Sequence, residues 1–168
     1  MAGSAMPGPK EQFLDAFRRE RETTLKVMRA FPADKKDFKP HERSSSALGL
    51  IWTFAIEQGV TVAALNGTLK LTGQFPPPPP TISDAIAAYE QGTKDVEKAV
   101  GIVPESRLFE NTTFFTGPKQ MGDVQVMGLM WFMLMDSIHH RGQLSVYVRM
   151  AGGQVPSIYG PSADEPWN

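Results

Sequence analysis

Asp136 and His140 lie four residues apart in the segment Asp136-Ser137-Ile138-His139-His140-Arg141-Gly142-Gln143, inside a largely apolar stretch. On a helix that spacing puts the carboxylate and the imidazole on one face, one turn apart. Three kinds of chemistry are open to such a pair. It can hold a metal ion, it can work as acid and base, or its members can satisfy each other in a core. Gln143 extends the stripe by a further turn. Leu129, Phe132 and Met133 continue it toward the N-terminus, and Tyr147 and Met150 toward the C-terminus. His139 is rotated by about 100° from His140, so the two do not easily serve one mononuclear site.

A buried ionisable pair costs on the order of several kcal/mol unless it is paired or coordinated. Partners must come from another segment. Thr53 and Glu57 share a helical face among Trp52, Phe54 and Ile56, and Glu57 is the sole acid in the middle of that segment. His41 lies just upstream. A set of Asp136, His140 and Glu57, completed by water, suits a divalent transition metal. The competing arrangement is a metal-free hydrogen-bond network, for instance His140 between Asp136 and Thr53, and spacing alone favours the network. A pocket at this place is lined by Trp52, Thr53, Phe132, Met133, Gln143 and Tyr147. The nine methionines would make an adaptable lining, although plain core filling is their commoner use.

The elements that must position these residues are helices. Phe13, Leu14, Phe17, Leu25 and Met28 recur at helical spacing from about Lys10 to Arg29, and Pro32 ends that run. A second helix starts at Ser44-Ser45-Ser46, a source of capping oxygens, and stops near Asn66-Gly67. Thr81 or Ser83 caps a third, closed by Gly101 and Pro104. The fourth runs from near Asp123 to about Ala151, ahead of Gly152-Gly153. Residues 105–120 read as extended or irregular crossover. Pro76 to Pro80 reads as a stiff connector between the second and third helices, ahead of a docking segment for a proline-recognising partner. Residues 1–8 are expected to fray, and the tail from 153 to 168 to pack back on the helices. The pattern predicts an all-α, four-helix bundle with a long crossover before the last helix, one domain over 1–168.

Composition narrows the function classes. The net charge of -1 and pI near 6.3 give no global field for nucleic acid or an anionic membrane. The chain has no cysteine, which removes thiolate metal sites, cysteine nucleophiles and disulfides, and fits a reducing, cytoplasmic setting. The apolar run from Val124 to Met135 is too short to span a bilayer. No Gly-x-Ser-x-Gly elbow or phosphate-binding glycine loop is present, and Ser137 and Ser145 share one segment with His139 and His140, unlike the members of a hydrolytic triad.

The stretch from His140-Arg141-Gly142-Gln143 to Arg149, with Gly152-Gly153 and the tail Tyr159-Gly160-Pro161-Ser162-Ala163-Asp164-Glu165, resembles the C-terminal part of the DinB family. Pro40-His41-Glu42-Arg43-Ser44 adds to the resemblance. It implies a DinB/YfiT-like, up-down-down-up bundle, often a homodimer. It also implies a divalent metal, zinc or nickel, held by three histidines, and relatives that are transferases or isomerases using a low-molecular-weight thiol. Of those three positions His140 matches, Asp136 replaces the first histidine of the His-x-x-x-His pair, and Thr53 stands where the helix-two histidine falls. An Asp/His/Glu set is more oxygen-rich and shifts preference toward manganese or iron, or leaves no metal at all. Two functions follow as expectations. One is a divalent-metal-dependent transferase or hydrolase with a degenerate site. The other is a non-catalytic small-molecule binder, or dimeric stress-associated bundle, that has lost the metal.

Overall fold

The computed structural model describes residues 6–71 and 73–167. Four α-helices form: α1 Pro9–Arg29, α2 Ala47–Leu65, α3 Ile82–Ile102 and α4 Val126–Met150. Their ends follow from local chemistry. Ser46 accepts from the Gly49 N–H at 3.1 Å and caps α2, and Thr81 does the same for α3 through Asp84 at 3.1 Å. Gly67 ends α2 and Gly152 follows α4, each at positive φ, where a side chain would be strained. Of the eight N-terminal residues expected to fray, 1–5 lie outside the described residues. Gly8 is ordered at the start of α1, its N–H donating to Glu11 at 3.0 Å.

The helices pack in a ring, with α1 against α3 and α4, and α2 against α3 and α4. Contacts along the seams give the directions. Phe13 meets Trp131, and two to three turns further on Arg141 reaches Glu20, so α1 and α4 run parallel. Arg21 pairs with Glu97 and Arg29 with Glu90, so α1 and α3 are antiparallel. Tyr147 donates to the Ser45 carbonyl while His140 reaches Glu57, so α2 and α4 are antiparallel. The result is an up-down-down-up bundle. Gly92 lets α2 and α3 close tightly, since a Cβ there would lie 2.8 Å from Gln58.

Before α4 the chain departs from an all-helical reading. A 3-10 turn at Glu105–Phe109 leads into an antiparallel hairpin, β1 Asn111–Gly117 and β2 Gln120–Gln125. The helix expected from Asp123 begins only at Val126, because Asp123 pairs with Thr113 inside the hairpin. The Thr- and Phe-rich β1 suits a half-buried strand. Its Phe114 docks with Val60, Ala64, Leu129 and Met133, which holds the hairpin over the α2–α4 seam.

Two further points bear on the sequence expectations. α2, not the run from Val124 to Met135, is the helix long and apolar enough to cross a bilayer by composition, with 56% of that window buried inside the bundle. Its apolarity has a packing reason: Phe54, Ile51 and Ala64 are fully buried against α3 and α4. The proline run is exposed and pinned at both ends, the Pro76 carbonyl accepting from Trp52 Nε1 at 2.8 Å and that of Pro80 from Lys36 at 3.1 Å. That geometry is the connector arrangement.

Candidate functional site

Glu57 comes from the middle of α2, and Asp136 and His140 from the middle of α4. Antiparallel packing brings them level. One ligand atom from each lies within 4.8 Å of the others. His140 Nδ1 is 2.7 Å from Glu57 Oε1 and 3.9 Å from Asp136 Oδ1. Ser137 Oγ donates to the second oxygen of Glu57. Glu57 is 3% exposed, so this carboxylate is inside the protein. Asp136 and His140 are partly open to solvent.

The charges in this cluster do not cancel. Neither carboxylate pairs with a lysine or arginine among the described residues. Burial pushes the Glu57 carboxyl above its ordinary range, opposed by the hydrogen bonds from His140 and Ser137. The bond to Glu57 raises His140, opposed by burial. Both directions favour retaining a proton at the hydrogen bond between Glu57 Oε1 and His140 Nδ1. With that proton in place the cluster still carries the negative charge of Asp136. Desolvated, uncompensated negative charge draws either further protons or a cation.

The donor set fits a cation. Two carboxylates and one imidazole converge from two rigid helices, and Ser137 fixes the buried carboxylate by its second oxygen, as a ligating carboxylate requires. The set is rich in oxygen, which suits manganese or iron(II) better than the nitrogen-rich sites that favour zinc and nickel. His140 is further held by the edge of Phe54, ring centroids 6.1 Å apart.

Cavities open on both sides of the cluster. One, about 390 Å³, contains Glu57 and Asp136 and is walled by Ile56, Val60, Phe114, Phe115 and Phe132. The other, about 480 Å³, contains His140, Gln143, Tyr147, Ser44 and Ser45. Thr53 borders both. The first is apolar and the second polar.

The structure separates the residues grouped by sequence. Thr53 does not hold His140; its hydroxyl donates back to the Gly49 carbonyl at 3.1 Å. The metal-free network pictured with His140 between Asp136 and Thr53 is thus replaced by one centred on Glu57. Gln143 is exposed and bonds His139 at 2.9 Å, away from the carboxylates. His41 bonds only the Arg43 N–H. Trp52 and Met133 belong to the apolar side, Tyr147 to the polar side, and Phe132 stands half exposed at the rim. Ser137 was missed. The fully buried stripe of α4 is Met130, Leu134, Ser137, Arg141, Leu144 and Val148, one residue away from the stripe that Asp136 and His140 define. A serine recurring at core spacing was the available signal.

The face of α4 turned toward α1 differs. Arg141 is 1% exposed and faces α1, where it pairs with Glu20 at 2.7 Å and donates to Tyr159 at 2.5 Å. Arg149 pairs with Asp164, and Lys26 with Glu165. Both acids also accept tail N–H groups, from Val155 and Ser157. The tail is thereby clamped to the bundle.

Comparison with known proteins agrees with this architecture. The DinB family profile matches residues 6–167. An uncharacterized Bacillus subtilis protein, YrdA, is 28% identical over 162 residues, covering 92% of this chain and 90% of its own. A DinB-like protein from Bacillus cereus superposes with a TM-score of 0.72 at 18% identity, over 88% of this chain and 95% of its own. The DinB-like YjoA of Bacillus subtilis gives 0.67 at 21%, over 84% and 92%. With helix order, bundle direction and the matched span all in agreement, the chain belongs to the DinB family.

Proposed function

We propose that this protein is a divalent-cation-dependent enzyme of transferase or hydrolase type acting on a small molecule, with Glu57, Asp136 and His140 holding the cation. One observation carries the reading: two carboxylates converge on one imidazole, one of them buried, without a lysine or arginine partner among the described residues. A cation there would act as a Lewis acid, making an incoming water or thiol more acidic. The chain's own residues have separate parts. Ser137 and His140 orient the buried Glu57. Asp136, the most open of the three, is the group an incoming molecule meets first. Without the cation, His140 Nδ1 and Glu57 Oε1 are joined by a hydrogen bond, and a bound cation would displace the proton that this bond holds. The polar cavity beside His140 suits a water or thiol co-substrate, and the apolar one suits the other reactant.

A second reading has its own support. No buried side-chain nitrogen or oxygen lacks a hydrogen-bond partner among the described residues. That satisfied state is what a non-catalytic, metal-free small-molecule binder would show. Calorimetric titration with manganese, zinc and nickel separates the two. The proposed reading predicts one site per chain, with manganese competitive against zinc, and loss of the site in His140→Ala. Absence of stoichiometric binding of all three ions by the wild type rejects it in favour of the second.

The dimer expected from family resemblance, and a cytoplasmic setting, stay with this proposal. Sedimentation at micromolar concentration tests the first, and fractionation of tagged protein the second.

A further inference from the structure

The outer face of α2 carries Trp52, Ala55, Ile56, Gly59 and Ala63, positions that repeat every three to four residues. Among the described residues α3 flanks one edge of this stripe. The segment after α2, through Leu69 and Leu71 to Phe75, and Phe115 of the hairpin rise over it and enclose a second cavity of about 390 Å³. Ile56, Val60, Phe75 and Phe115 line this cavity and the apolar one beside the cluster alike. The two spaces are thus adjacent along these residues and make up a trough whose near cavity holds Glu57 and Asp136. Each is within the roughly 300–1,000 Å³ range of small-molecule sites. Phe75, Phe115 and Phe132, each about half exposed, form its rim.

We infer that this trough binds an elongated, uncharged apolar molecule, aryl or long-alkyl, with a single polar end presented to Glu57 and Asp136. The inference deepens the functional reading, since the polar end meets the same cluster. Three features carry it. The near cavity has only Thr53 and the two acids as polar lining, so a second polar group on the ligand would be desolvated without a partner. The two carboxyl groups at this end, Glu57 buried and Asp136 partly open, disfavour an anionic head. Aromatic rings on the rim favour flat or chain-like apolar bodies over compact polar ones. The helix floor is also open at one point: a Cβ on Gly59 would meet nothing within 4 Å. A glycine in mid-helix is unfavourable for α2, and here it leaves room.

The test uses N-phenyl-1-naphthylamine, a neutral aromatic dye that brightens in apolar surroundings, titrated into the full chain. Saturable binding at one per chain with micromolar affinity is expected. Gly59→Leu, which raises helix propensity while filling the trough, should weaken it at least tenfold with no loss of melting temperature. Phe115→Asp should do likewise. Phe109→Asp, at an exposed phenylalanine outside the trough, should leave it unchanged. Asp136→Asn should abolish manganese binding and keep dye binding, so failure of the metal reading and of this one are distinguishable. Absence of saturable binding overturns the inference. So does equal binding by Gly59→Leu, or dye binding that disappears as the chain self-associates in sedimentation, which would mean that a second copy fills the trough.

Discussion

His140 and Arg141 are adjacent in sequence and point to two faces of α4 about 100° apart, toward α2 and α1, into settings built on opposite principles. Toward α1, Arg141 meets Glu20, Thr24 and Tyr159, while Arg149 and Lys26 match the tail acids. Each charge there has a partner of opposite sign. Toward α2, two acids face one imidazole and no other cation among the described residues. A protein that needed only to stay folded would gain by neutralising or removing Glu57, since an unmatched buried carboxylate opposes folding. In the proposed function its presence is explained by the cation it would hold, whereas the matched side ties the tail to the bundle.

The comparison can be broken by mutation. The largest effect is expected at Arg141. Arg141→Ala removes a guanidinium that is 1% exposed and strands Glu20, which should cost about 3–5 kcal/mol. For a chain of this size that is a fall of roughly 6–20 °C in melting temperature. A change within experimental error would show that the clamp side is dispensable.

Acidity should separate the sides next. His140 and Glu57 both have folded values above their ordinary 6.5 and 4.5. The folded state therefore holds their protons more tightly than the unfolded chain does. Glu57's contribution is complete below about 4.5 and is lost as pH rises through its folded value; His140's is complete below about 6.5 and is lost as pH rises through its own. Asp164 and Glu165 shift the other way, lowered first by Arg149 and by Lys26 respectively. Their contribution is present above the ordinary carboxylate range and is lost as pH falls through it. The cation-free protein should thus lose melting temperature on both arms, and His140→Ala should flatten the alkaline arm alone. An alkaline arm unchanged in that variant would refute the proton held at this bond.

The smallest effect is expected from Asp164→Asn. It should lower the melting temperature slightly and weaken the acid arm, because the salt link is solvent-exposed and screened. Protection of the Val155 amide from hydrogen exchange should fall with it, since that N–H donates to Asp164 at 2.7 Å. Unchanged protection would remove the carboxylate from the clamp.

The same contrast explains what the sequence disclosed. Helix ends were legible wherever a single residue sets the backbone, as at Ser46, Thr81 and Gly67. The hairpin was not, because β2 ends at Gln125 and α4 opens at Val126, with no break in the sequence between them. Glu57, Asp136 and His140 could be singled out because acids and imidazoles are conspicuous in apolar segments. Thr53 and Gln143 share their faces but bond elsewhere, at Gly49 and His139, and spacing cannot separate these outcomes. The matched side was read only in part. The tail was expected to pack on the helices, as it does, but its link from Asp164 to Arg149 and the burial of Arg141 against Glu20 and Tyr159 depend on contacts that sequence spacing does not display.

The central claim is that Glu57 is kept at the expense of stability to hold a cation. Thermal melts of the wild type and Glu57→Gln, each with and without manganese at about 100 times its dissociation constant, test it most directly. The account predicts that manganese raises the wild type by about 2.7 kcal/mol, roughly 5–11 °C. It predicts that Glu57→Gln is at least as stable as the metal-free wild type and does not respond to the ion. A wild type indifferent to manganese, together with a Glu57→Gln variant that melts far lower, would show that the carboxylate is there for the fold.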